Sequence, residues 1–77
     1  MDIKDKVVKV LCEVNPRIWE NLESDLLEEG MIDSFEIVNI VMELEEAFDM
    51  EIDPEEITPD NFKTVAAIVD LIKRNLQ

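Results

Sequence analysis

Residues 31–37 read Met-Ile-Asp-Ser-Phe-Glu-Ile, and this short stretch constrains the fold more than any other. Asp33 is an N-cap residue, and Glu36, three positions on, is its capping-box partner. Ile32 and Ile37 occupy the N′ and N4 positions of a hydrophobic staple. Together they predict a helix from Ser34 to about Asp49, with Ser34 as its first residue. The Ser34 hydroxyl then lies at the positive end of the helix dipole, where backbone N–H groups lack partners and a phosphate ester is favoured.

At about 100° per residue, Ile37, Ile40, Val41, Leu44 and Phe48 share one face of that helix, which is the expected core stripe. Phe35, Val38 and Met42 form a second apolar stripe on roughly the opposite side. Glu36, Asn39, Glu43, Glu45 and Glu46 lie between and around the two. A helix that only had to pack on a core would have no use for the second stripe. An apolar strip ringed by carboxylates is expected to be a docking surface for basic partners.

The rest of the chain supplies further helices and no alternating strand pattern. Ile3, Val7, Val10, Leu11 and Val14 repeat at helical spacing, predicting a first helix over residues 2 to about 14, which Asn15-Pro16 breaks. Residues 15–30 form a long connection tied down by Ile18, Trp19, Leu22, Leu26 and Leu27, with a short helical turn after Pro16; Trp19 is expected to be buried. Gly30, the only glycine, falls where the chain must turn into the main helix, and a left-handed backbone there would suit it. Asp53-Pro54-Glu55-Glu56 carries the cap, N1 proline and N3 glutamate of a short helix. Val65, Ile68, Val69, Ile72 and Leu76 mark a last helix starting between Pro59 and Thr64, with Lys73 and Arg74 complementing its C-terminal dipole. The expectation is an all-α, small four-helix bundle of three long helices and one short one, a single domain over residues 1–77.

Charge and composition narrow the function. The formal net charge is −13, and residues 18–62 contain no Lys or Arg yet hold 16 of the 20 acids. Nucleic-acid binding is excluded by this distribution, because phosphate contacts need cations. Partners should present Lys or Arg and be steered electrostatically. With no histidine and no tyrosine, Ser–His, Cys–His and His/Cys zinc chemistry are all absent. Asp49, Glu51 and Asp53 alternate as in a calcium loop but lack its glycine and terminal bidentate glutamate, so no metal site is assigned. Cys12 is a lone thiol among apolar neighbours. No apolar run is long enough to span a membrane, and no membrane insertion is expected. A cytoplasmic monomer without catalytic residues is expected.

Asp33-Ser34-Phe35, followed by Val-Met-Glu-Leu-Glu-Glu-Ala-Phe-Asp at 41–49, resembles the acyl carrier and peptidyl carrier proteins. The resemblance covers nearly the whole chain and is densest over residues 28–57. It implies that Ser34, beside Asp33, carries 4′-phosphopantetheine, transferred from coenzyme A by a phosphopantetheinyl transferase. It implies further that acyl or aminoacyl groups ride on the arm as thioesters, supplied by a loading ligase and used by acyl-transfer enzymes. Basic patches on those enzymes would meet Glu36, Glu43, Glu45 and Glu46. Phe35, Val38 and Met42 would fill their apolar pockets, and the arm would slip in near Ile52 and Ile57.

Around the serine, Glu28-Glu29-Gly30-Met31-Ile32-Asp33-Ser34-Phe35 is similar to the D-alanyl carrier proteins of teichoic-acid modification, whereas the chain from residue 53 onward does not follow them closely. Fatty-acid carriers commonly have an acid where this chain has Asn39, and polyketide, peptide or specialised lipid pathways fit equally well. The competing expectation is an unmodified acidic adaptor, or a nucleic-acid mimic that occupies a basic groove; it needs the charge but not the Phe35/Val38/Met42 strip.

Overall fold

The computed structural model describes residues 2–76. Three α-helices longer than two turns make the frame: α1 (Ile3–Val14), α2 (Ser34–Phe48) and α4 (Val65–Asn75). A single helical turn, α3 (Pro59–Phe62), precedes α4, and 3-10 turns lie at Pro16–Glu20 and Pro54–Glu56. No strand is present among the described residues. α1 packs against both α2 and α4, and α3 packs against α4.

The apolar stripes converge on one core. Val7, Val10 and Leu11 of α1, Ile37, Ile40, Val41 and Leu44 of α2, and Val65, Ile68, Leu71 and Ile72 of α4 are all buried. Phe62 of α3 is completely enclosed among them. No polar or charged residue is buried among the described residues, so the core is held by apolar packing alone, without desolvated charges to offset it.

Caps set the boundaries. Asp2 Oδ1 accepts from the Asp5 N–H at 2.8 Å and starts α1. Thr64, in an extended conformation, accepts from the Ala67 N–H at 3.0 Å and starts α4. The sequence placed the last helix start between Pro59 and Thr64. The chain instead starts twice: Pro59 sits at the first position of α3, Thr64 then breaks the helical path, and α4 begins at Val65. The short helix expected at Asp53 is only a 3-10 turn. Glu56, expected as the N3 glutamate of that helix, accepts from Arg74 Nη1 at 3.1 Å and Asn75 Nδ2 at 2.6 Å, and so clasps this turn to the end of α4.

Trp19 corrects another expectation. Ile18 beside it is fully buried, but Trp19 is 66% exposed. The turn at Pro16–Glu20 directs one of the two adjacent side chains inward, and the core takes the isoleucine.

Candidate functional site

The loop that delivers the chain to Ser34 is pinned to the core before α2 begins. Asp25 Oδ1 accepts from the N–H groups of Leu27 and Glu28, at 3.1 and 2.9 Å, and nucleates a turn. Gly30 ends that turn with a φ of +73°, the left-handed conformation that a residue without a Cβ adopts freely. The Leu26 carbonyl accepts from the Met31 and Ile32 N–H groups, and the Leu26 N–H donates to the Lys63 carbonyl at 2.6 Å. Asn15 Nδ2 donates to the Met31 carbonyl at 3.0 Å. Leu26, Met31 and Ile32 are all buried.

From that anchor the chain enters α2 through a complete capping box. Asp33 Oδ1 accepts from the Glu36 N–H at 2.8 Å, and Glu36 Oε1 accepts from the Asp33 N–H at 3.2 Å. Both carboxylates nearest Ser34 are therefore turned onto backbone donors. Ser34 is exposed. Its backbone N–H and that of Phe35 have no acceptor among the described residues. An exposed hydroxyl beside two free N–H groups at the dipole's positive end suits a phosphate ester.

Along α2 the two apolar faces separate as the wheel requires. The core stripe is buried except for Phe48, which is half-buried under the Lys6 ammonium, 5.2 Å from its ring centroid. Phe35, Val38 and Met42 are 84%, 58% and 56% exposed. Asn39, Glu43 and Glu46 are exposed around them. Ser34 and this strip thus share one open side of the helix.

Three residues singled out from the sequence are placed differently. Glu45 is half-buried, and its Oε2 accepts from the Ile52 N–H at 2.9 Å. It holds the segment after α2 and does not stand in the solvated acid ring. Ile52 is buried in the core, so it does not line an open surface, and Ile57 is half-buried. Ile52 sits in the core, and Met50 and Ile57 pack against it, so the three apolar side chains anchor the 50–57 segment. Asn15, expected only to break α1, and Asp25 also position this loop, and Asp25 followed three positions later by Glu28 is itself a turn-initiating signal.

Fold and site together define a presentation domain. A helical frame holds the Ser34 hydroxyl outward, beside an apolar strip and acidic side chains. Residues 2–72 match the family described as the phosphopantetheine attachment site, and the chain belongs to that family. It is therefore a phosphopantetheine-bearing carrier domain, not catalytic by itself, with a covalent 4′-phosphopantetheine group that a phosphopantetheinyl transferase installs. Among the described residues no helix is long and apolar enough to cross a membrane.

Proposed function

We propose that Ser34 is the attachment residue and that residues 1–77 work as one carrier domain for acyl or aminoacyl groups. The exposed Ser34 hydroxyl at the head of α2 carries this assignment. The chain has one other serine, Ser24, half-buried in the turn after Asn21. The prosthetic group, once attached, supplies a terminal thiol on which cargo is held as a thioester. The chain's own residues orient and identify. The capping box fixes the first turn of α2, so the hydroxyl meets the transferase in one geometry. Phe35, Val38 and Met42 enter apolar pockets on loading and transfer enzymes, and Asp33, Glu36, Glu43 and Glu46 meet their cations. Glu45 and Ile52 act indirectly, by holding the segment after α2.

Among cargo classes we favour an aminoacyl group of the D-alanyl type, supported by the likeness of residues 28–35 to those carriers. The free thiol of Cys12 suits a reducing compartment such as the cytoplasm. The decisive experiment weighs the intact protein after incubation with coenzyme A and a broad-specificity transferase. Wild type gains one phosphopantetheine and Ser34→Ala gains none; equal gains in both refute the assignment. Offering the loaded protein to a D-alanine-activating ligase and to an acyl-activating ligase then separates the cargo classes. An acidic adaptor would bind its partners equally well with Ser34→Ala.

A further inference from the structure

The sequence marks Asn15 only as the end of α1. In the fold each of its four polar groups has a partner. Its N–H donates to the Leu11 carbonyl at 2.9 Å and closes α1. Its carbonyl accepts from the Ile18 N–H at 3.0 Å, and its Oδ1 accepts from the Arg17 N–H at 3.0 Å, which starts the 3-10 turn. Its Nδ2 crosses 16 residues of sequence to donate to the Met31 carbonyl at 3.0 Å. Only one orientation of the side-chain amide serves both contacts, since one atom must accept from an N–H and the other must donate to a carbonyl.

The Met31 contact has no substitute. Among the described residues, no other side chain from outside the loop bonds to residues 25–32. The Met31 carbonyl accepts from no backbone N–H. Met31 is buried, so a carbonyl left there without a donor is costly. It lies three residues ahead of Ser34, and its own N–H and that of Ile32 fold back onto the Leu26 carbonyl. The backbone entering Asp33 therefore hangs from two hydrogen bonds to distant parts of the chain. One is the bond from the Leu26 N–H to the Lys63 carbonyl, and the other is the Asn15 amide. Only the second depends on a side chain. The body of α2 is seated separately, by Ile37, Ile40, Val41 and Leu44 in the core.

From this we infer that Asn15 is a positioning residue for phosphopantetheine attachment, fixing the backbone ahead of Ser34 through the Met31 carbonyl. The inference rests on Ser34 as the attachment residue. In that reaction an O–P bond forms at Ser34 Oγ as the bridging P–O bond of the coenzyme A diphosphate breaks. Adenosine 3′,5′-bisphosphate leaves, and the serine proton passes to a base outside this chain. The attacking oxygen must lie in line with the leaving group, so small shifts of the backbone that carries it cost rate. Docking through Val38 and Met42 does not pass through Asn15, because α2 is held by its own core stripe. Asn15 therefore acts on kcat and not on KM. Asparagine alone does both jobs. Aspartate keeps the acceptor for Arg17 but, ionised, has no donor for Met31. Serine caps the turn as well, but its hydroxyl is one bond too short to reach Met31.

The test measures initial rates of loading of the apo protein with coenzyme A and a broad-specificity transferase, over a range of carrier concentrations, by intact mass. Asn15→Asp and Asn15→Ser are each expected to lower kcat about fivefold or more and to keep KM for the carrier within about twofold of wild type. Asn21→Ala is the control for the turn. It removes the 2.8 Å bond from Asn21 Nδ2 to the Arg17 carbonyl, and Asn21 makes no bond to residues 25–32. It is expected to lower the melting temperature and to keep kcat within about twofold. Amide exchange at Met31 and Ile32, followed by NMR on the apo protein, is expected to quicken about tenfold in Asn15→Asp and to stay near wild type in Asn21→Ala. Wild-type kcat in both Asn15 variants, an effect confined to KM, or equal slowing by Asn21→Ala overturns the inference. So does unchanged exchange at Met31 and Ile32 in Asn15→Asp. A mass gain that persists in Ser34→Ala overturns the attachment residue and this inference with it, and it is told apart because it arises in a variant that keeps Asn15.

Discussion

Replacing Asp33 separates the two tasks that this residue performs. Asp33→Ala removes the acceptor of a 2.8 Å bond to the Glu36 N–H and leaves a third donor of the first turn unpaired. Loss of such a cap costs about 1 kcal/mol. Loss of the negative charge at the helix start costs a further ~0.5 kcal/mol. A domain of this size has a total stability of about 4–12 kcal/mol, so the change is a sizeable fraction. At about 4–8 °C per kcal/mol for a small domain, the melting temperature should fall by about 6–12 °C. Asp33→Asn keeps the acceptor and loses only the charge, and Asp33→Ser keeps a good cap. Both should therefore lie within about 4 °C of wild type. Thermal melts followed by circular dichroism at 222 nm read the stability. Time courses of phosphopantetheine loading read the presentation of Ser34. If the cap is what matters, the serine variant recovers stability and loading together. If the transferase recognises the carboxylate itself, the serine and asparagine variants fold normally but load slowly. An alanine variant that melts with wild type would refute the structural role given to the capping box.

Three other outcomes follow from the same geometry. Gly30→Ala meets no atom within 4 Å of the added Cβ, but its φ of +73° remains; a loss of about 1–2 kcal/mol is expected from backbone strain alone, and Gly30→Asn should recover part of it, both measured by urea denaturation. The cation-free acidic stretch repels itself, so raising salt from about 0.02 to 0.3 M should raise the melting temperature by more than about 4 °C, and a flat profile would contradict this. Burial raises the Cys12 thiol above its ordinary 9.0, against a smaller lowering by the Trp19 backbone N–H. The unfolded chain therefore loses this proton first, the contribution to stability is intact below pH 9 and declines as pH climbs through the folded value, and alkylation of the native thiol at pH 8.5 should be slower than that of an unfolded control.

Local signals were legible wherever a side chain acts on its own backbone. The Asp33–Glu36 box, the burial of Ile32 and Ile37 at the staple positions, and the two stripes of α2 are periodic or nearest-neighbour features, and the chain forms them as written. The left-handed backbone at Gly30 was legible for the same reason. The bonds of Glu45 and Glu56 are not legible in the sequence because their partners lie seven and eighteen or more residues away. An acid that reaches a distant N–H or guanidinium looks, in sequence, like any solvated acid. The start of α4 was ambiguous because Thr58-Pro59 and Thr64 are both legitimate start signals, and the chain uses both. The exposure of Trp19 is not legible because a five-residue 3-10 turn carries too little periodicity to tell which of Ile18 and Trp19 faces inward. Hydrophobicity alone favours burying both, and the core has room for one.

The anchoring of Leu26, Met31 and Ile32 has a mechanical consequence. With that loop nailed to the core from both sides, the serine is a fixed pivot, and it cannot swing toward an enzyme. All reach beyond the helix must come from the flexible tether, and all larger travel from tumbling of the entire domain. Any two reaction centres served from this serine must therefore lie within one tether's radius of the pivot, or the domain as a whole must move between them.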